Sequence, residues 1–314
     1  MQYLIEGDLP RIETLSELYK LLDTEASIIA SAAASARSFY HTFEIPKRRG
    51  GSRVIDMPMP SLSEIQRRIH TKILARIIVS ESAHGFVPGR SIVTNAKSHM
   101  NGKEFFVSDI QNFFPSVTTA MVINIFRTCG YNHDLATTLG LLCTLDGRLP
   151  QGAPTSPSVS NICCIELDKR LLQLAKGCSL TYTRYADDLT FSGDHIGLSL
   201  RDIVFRIIAD EGFQAHPEKS LLARNRGKMI VTGISISRGE LRVPRARKRE
   251  IRKRAHFLVR NGIVVESARG TSFDPLYVDR VLGQLTFWIM VEPENPFPRR
   301  LKDQIVRSIP VRET

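Results

Sequence analysis

The sequence predicts an α+β fold, on three observations. Segments with apolar residues at helical spacing recur along the 314 residues. Between them lie strand-like runs, two of which turn back on themselves as hairpins, FEIPKRRGGSRVIDMPMP and TYTRYADDLTFSG. A content of 42% hydrophobic and 24% charged residues supplies a core and excludes a disordered chain, while no apolar run approaches the roughly 18 residues needed to cross a bilayer.

The elements follow in order. RIETLSELYKLL sets Leu15, Leu18 and Leu22 at helical spacing, and SIIASAAASA is small and helix-permissive. The first hairpin carries a basic tip, Lys47, Arg48 and Arg49, beside Arg53. SLSEIQRRIHTKILARIIV opens on a capping box, Ser61 with Glu64, and runs Ile65, Ile69 and Ile73 along one stripe. KEFFVSDI is a strand with Phe105, Val107 and Asp109 on one face. A helix follows Pro115, with Met121, Val122, Ile125, Phe126 and Cys129 inward and Gly130 past its end. QGAPTSPSVSNICCIELDKRLLQLAKG reads as one helix, Ser156 its N-cap and Pro157 its first residue. After the second hairpin come a helix near 198–211, the string HPEKS and a β-rich stretch, KMIVTGISIS. From residue 238 to 260 ten basic residues stand against two acids, which puts a lobe boundary near 236–242. One more apolar helix, YVDRVLGQLTFWIMV, holds the only tryptophan, Trp288.

Lys plus Arg exceed Asp plus Glu by 43 to 32, for a net charge of +11. A surplus of that size favours an anionic partner, a nucleic acid or an acidic membrane face. The start, MQYLIEGDLP, lacks a basic segment followed by an apolar one, so no secretory signal is expected and the cytosol is the expected compartment. Cys129, Cys143, Cys163, Cys164 and Cys178 form no zinc-spaced cluster and read as plain buried thiols.

The chemistry centres on YADD. A two-residue turn at Ala186 and Asp187 would project Asp187 and Asp188 from a hairpin tip, where like charges repel. Alone, such a pair is more often a solvated loop, and a lone strand-end acid such as Asp109 is more often a helix cap. Together, three carboxylates at one sheet edge make an oxygen site for hard cations such as Mg²⁺. Two such ions would activate a hydroxyl and stabilise departing pyrophosphate.

YADD after a strand, preceded by SDIQNFFPSV and QGAPTSP, resembles the polymerase core of reverse transcriptases from about residue 45 to 235. NAKSH, Asn95 to His99, and VTG, Val231 to Gly233, resemble strings of the bacterial retron branch. The resemblance implies a right-hand polymerase: N-terminal helices and fingers over 1–100, a catalytic palm over 101–237, and a basic, RNA-binding thumb over 238–314. It implies two Mg²⁺ ions on Asp109, Asp187, Asp188 and the Ile110 backbone. It makes Phe114 the residue that excludes a 2′-OH, places Gln151 and Gly152 in the nucleotide pocket, puts Arg53 on the triphosphate, and makes Lys219 the proton donor to pyrophosphate.

Asn95, His99, Arg242, Arg245, Arg247, Lys248, Arg249, Arg252, Lys253 and Arg254 would meet RNA. Arg53 and Lys219 are equally readable as surface cations, Phe114 as a core ring, and His99 as a cap. The implied partners are dNTPs, a cognate structured noncoding RNA with its RNA–DNA product, and an effector protein of an antiphage system, with no membrane. Two rivals stand beside this: a general or intron-type enzyme extending 3′-OH primers, and an RNA-binding scaffold without polymerase activity.

Overall fold

In the computed structural model residues 3–46, 50–224, 229–237, 239–261 and 274–308 are described. The basic tip at Lys47, Arg48 and Arg49 lies outside them. Helices α1 (Leu15–Leu21) and α2 (Ala26–Ala34) form where leucine spacing and alanine content favour them. The first hairpin pairs β1 (Tyr40–Pro46) with β2 (Ser52–Pro58), Tyr40 opposite Pro58 and Ile45 opposite Arg53.

Helix α3 (Pro60–Lys72) buries Leu62, Ile65 and Ile69, but the expected capping box is absent. Pro60, which lacks an N–H, occupies the first turn and moves the cap to Met59, which has no side-chain acceptor. Glu64 is thereby free to pair with Arg67 and Arg68.

Helix α4 (Ile92–Ser98) carries the NAKSH string. After β3 (Glu104–Asp109) the chain makes one short turn, α5 (Phe113–Ser116), that includes Pro115. Helix α6 (Thr119–Thr128) then starts at the Thr118 cap, and α7 (His133–Cys143) lies against it. The expected single helix after QGAPTSP is two, α8 (Ser156–Cys163) and α9 (Ile165–Gly177), divided at Cys164. Thr155 stands at the cap, and Ser156, whose hydroxyl donates to the Pro150 carbonyl at 2.7 Å, is the first helical residue.

Strands β4 (Thr181–Tyr185), β5 (Asp188–Gly193) and β6 (Leu221–Arg224) join β3 in a four-stranded sheet, order β4-β5-β3-β6, with every pair antiparallel. Alternation assigns its two faces. Phe106, Leu189, Phe191 and Tyr182 sink into the main core with α9 and α10 (Leu200–Asp210). Phe105, on the other face, enters a second core.

That second core is built by β7 (Met229–Val231), β8 (Ile234–Ser237) and β9 (Glu240–Arg242), with helices α11 (Arg245–Asn261), α12 (Tyr277–Val291) and α13 (Pro296–Ser308). Trp288, Leu285 and Val281 are fully buried there, together with Ala96 of α4. The three-stranded sheet spans residues 229–242, so the break expected near 236–242 falls inside a sheet. Among the described residues no helix is long and apolar enough to cross a membrane.

Candidate active site

The β4–β5 hairpin turns at Ala186 and Asp187, with Tyr185 opposite Asp188, as the sequence predicts. Asp109 at the end of β3 is the direct cross-strand partner of Asp188, so both side chains leave the same face of the sheet. The strand end is tied down: the Ile110 N–H donates to the Asp187 carbonyl at 3.0 Å, and the Asp109 carbonyl accepts from the His216 N–H at 2.8 Å. A cavity of about 610 Å³ opens beside these acids, lined among others by Asp109, Asp188, Tyr185, Lys219, Thr232 and Gly233.

The electrostatics record the crowding. Desolvation, then the charges of Asp187 and Asp109, push the Asp188 carboxyl up to about 7, although its side chain touches solvent. Burial and Asp109 also raise Asp187, while Lys219 and Arg53 act in the opposite sense. Lys219, in a short 3₁₀ turn (Pro217–Lys219), donates to Asp109 Oδ2 at 2.7 Å.

The expectation that folding alone closes a metal cage is not met. Among the described residues no three ligand side chains stand gathered at binding separation. One Asp109 oxygen, Oδ2, is instead paired with Lys219 at 2.7 Å. The donor chemistry nevertheless fits a hard divalent cation, because all three side chains are carboxylates and a cation would relieve the repulsion that raises Asp187 and Asp188. Ile110 is buried, so only its backbone could serve.

The nucleotide-side residues fall around this centre. Arg53 is exposed on β2 and close enough for its charge to act on Asp187. Phe114 is half-buried, its ring set edge-on to Phe113 at 5.5 Å and 6.2 Å from Phe86. Gly152 is required by a protein contact: its φ is +133°, and a Cβ there would sit 2.7 Å from the Asp56 carbonyl of β2. The Asp56 N–H in turn donates to the Gln151 carbonyl at 2.8 Å.

Asn95 and His99 are not placed to touch RNA. They are 1% and 0% exposed, and the His99 ring bridges Ser192 Oγ and Thr183 Oγ1, both at 2.7 Å. Burial, then the charge of His84, lowers its pKa to about 3, so the ring is a neutral strut under α4. The NAKSH and VTG strings instead meet each other. The Thr232 hydroxyl donates to the Ile92 carbonyl at 3.1 Å and lies 3.5 Å from Asn95 Nδ2.

The basic stretch divides in two. Arg245, Arg249 and Lys253 are exposed at four-residue intervals along one face of α11. Lys248 instead pairs with buried Glu292 at 2.6 Å, Arg247 lies 3.9 Å over the Phe287 ring, and Arg252 stacks on Trp288 and Phe297. Arg254 and Arg242 pair with Glu250 and Glu240. Burial opposes ionisation of Glu292, but Lys248, Asn295, the Val243 N–H and Trp288 together hold its carboxyl below the ordinary range.

Sequence reasoning passed over Arg184, Asp168 and Asn161, which form a fully buried cluster behind the turn. The available signal was a charge at an inward position of β4. Of the cysteines, Cys143 and Cys164 are buried, Cys129 and Cys163 half-buried, and Cys178, against expectation, exposed.

An antiparallel sheet that sets one strand-end acid against an acid pair at a hairpin tip, with Lys219 bonded to the first and the Arg53 charge felt by Asp187 of the pair, defines a nucleotidyl-transfer type of site. The family model for reverse transcriptase (RNA-dependent DNA polymerase) matches residues 45–252, and the chain belongs to that family, with its right-hand α+β fold and its general reliance on a divalent metal.

Within it the chain falls among the bacterial retron reverse transcriptases. It is 31% identical to the retron Ec86 reverse transcriptase of Escherichia coli, over 80% of this chain and 79% of that one. It is 40% identical to the retron Mx65 reverse transcriptase of Myxococcus xanthus, over 63% of this chain and 51% of that one. It is 38% identical to the retron Mx162 reverse transcriptase of the same organism, over 69% of this chain and 52% of that one. The matches thus span about half the length of the two Myxococcus relatives.

Proposed function

We propose that this chain is an RNA-directed DNA polymerase that copies part of a cognate structured noncoding RNA into single-stranded DNA, primed from a 2′-OH of that RNA. The pairing of Asp109 with Asp188 at the tip that also carries Asp187 is the observation that carries the reading. Asp109, Asp187, Asp188 and the Ile110 carbonyl are the groups suited to hold two Mg²⁺ ions, which when bound supply hydroxyl activation and leaving-group stabilisation.

The chain's own residues do the rest. Arg53 orients the incoming triphosphate through its guanidinium. Phe114, braced by Phe113 and Phe86, crowds the sugar and disfavours a ribonucleotide. Gln151 and Gly152 fix the floor of the nucleotide pocket by their tie to β2. Lys219 donates a proton to the departing pyrophosphate, a reading supported by its bond to Asp109. Arg245, Arg249 and Lys253 grip RNA phosphates, largely without regard to base sequence. An effector partner and a role in antiphage defence complete the proposal.

The test incubates the purified chain with its copurifying RNA, dNTPs and Mg²⁺. DNA joined to an internal guanosine of that RNA is expected, and Asp187→Asn with Asp188→Asn should abolish synthesis while sparing RNA binding. Equal extension of unrelated 3′-OH primer-templates would overturn the retron-type reading in favour of a general polymerase. Synthesis by the double variant would overturn the metal-site reading.

A further inference from the structure

The acids leave one face of the palm sheet; Arg184 leaves the other. It stands two residues before the turn, fully buried, with its Nε and Nη2 donating to Asp168 Oδ1 and Oδ2 at 2.8 and 2.7 Å. Nη1 donates to Asn161 Oδ1 at 3.0 Å and to the Ala186 carbonyl at 3.1 Å. Asp168 is itself fully buried and accepts the Tyr182 hydroxyl at 2.8 Å. The loop before α4 closes the other side. Arg184 N–H donates to the Ser82 carbonyl at 2.8 Å, its carbonyl accepts from His84 N–H at 2.7 Å, and Asn161 Nδ2 donates to the Gly85 carbonyl at 2.8 Å. Gly85 approaches the turn so closely that a Cβ on it would lie 2.7 Å from the Ala186 nitrogen.

Ala186 is held at a φ of 55°, a left-handed conformation that a non-glycine residue keeps only when its surroundings enforce it. A buried ion pair is a poor source of net stability compared with apolar residues of the same volume. What a guanidinium supplies, and leucine or methionine cannot, is a directional donor locked onto the carbonyl of the residue just before Asp187.

We propose that Arg184 is a positioning residue for catalysis: braced by Asp168 and Asn161, it fixes the Ala186–Asp187 turn and so the direction in which Asp187 and Asp188 present their carboxylates to a divalent cation. This rests on the metal-site reading above. Groups behind metal ligands characteristically set affinity by roughly 10- to 100-fold when altered.

The experiment uses the full chain with Mn²⁺ as a paramagnetic probe of direct binding, read by electron paramagnetic resonance, alongside steady-state DNA synthesis. Arg184→Lys keeps a cation but loses the forked geometry. Gly85→Ala presses on the turn from the opposite side with the ion pair intact, and it decides the matter should Arg184→Lys not fold. Each is expected to weaken Mn²⁺ binding about tenfold and to lower kcat with the KM for dNTP unchanged. The double variant Asp187→Asn, Asp188→Asn is the reference. If the reference still binds Mn²⁺ and makes DNA, the metal-site reading fails. If the reference loses both while folded clamp variants match the unaltered chain in Mn²⁺ affinity and kcat, showing only a lower Tm, the positioning role fails and Arg184 is a core residue.

Discussion

Asp188→Asn is expected to stabilise the metal-free protein at neutral to basic pH while destroying its chemistry. The Asp188 carboxyl is raised from 3.8 to about 7, by desolvation first and then by Asp187 and Asp109. At about 1.4 kcal/mol per decade, that interval corresponds to about 4 kcal/mol for a group wholly shielded from water. The side chain reaches solvent, so screening reduces the figure to about 1–2 kcal/mol. The sign follows from linkage: ionisation is penalised in the folded state, so the penalty is full above the raised value and absent below the unfolded one. Urea denaturation in a chelator at about pH 8 should therefore show the variant more stable by about 1–2 kcal/mol, the gain fading toward about pH 4. Adding excess Mg²⁺ should stabilise the unaltered chain more than the variant. An unchanged or lowered stability at the higher pH would refute the mutual repulsion, and with it the shared site.

Four further outcomes are expected. Neutralising Arg245, Arg249 and Lys253 together should flatten the dependence of RNA affinity on salt by about two to three in log–log slope, whereas Glu292→Ala should cost stability, about 3–5 kcal/mol by thermal denaturation, by stripping Lys248 of its buried partner. His99→Gln should reduce acid sensitivity: with a folded pKa near 3, the stability His99 contributes is complete above about 6.5 and is lost as pH falls toward 3, which chemical denaturation across that window reads. Phe114→Val should raise incorporation of ribonucleotides relative to dNTPs, about tenfold or more in the kcat/KM ratio, with little change for dNTPs.

The hairpin and its two-residue turn were legible because strand alternation and turn length are local properties, whereas the distant partnership of Asp109 with Asp188 was legible only through the combination of a strand-end acid with YADD and its resemblance to a family pattern. Boundaries governed by a single backbone atom were not. Pro60 displaced the Ser61 cap, and the chain divided at Cys164 within a stretch whose apolar spacing is continuous. The division of labour in α11 was equally hidden, since the partners of Lys248 and Arg252, namely Glu292 at the end of α12, Trp288 on α12 and Phe297 on α13, lie far along the chain. Composition counts positive charges; only the fold shows which of them are already occupied. The NAKSH string was legible as a mark of the retron branch, but its use was not: Asn95 and His99 are spent inside the protein.

Strand β3 has two owners. Phe106 is embedded in the main core and Phe105 in the core of the C-terminal helices, three and four residues ahead of Asp109. Truncation at residue 237 would strip cover from Phe105 and Ala96 and leave a greasy scar on the polymerase body. A load placed on the C-terminal helices would likewise reach the acid along β3, the beam that both cores share, with α4 as the second tie between them.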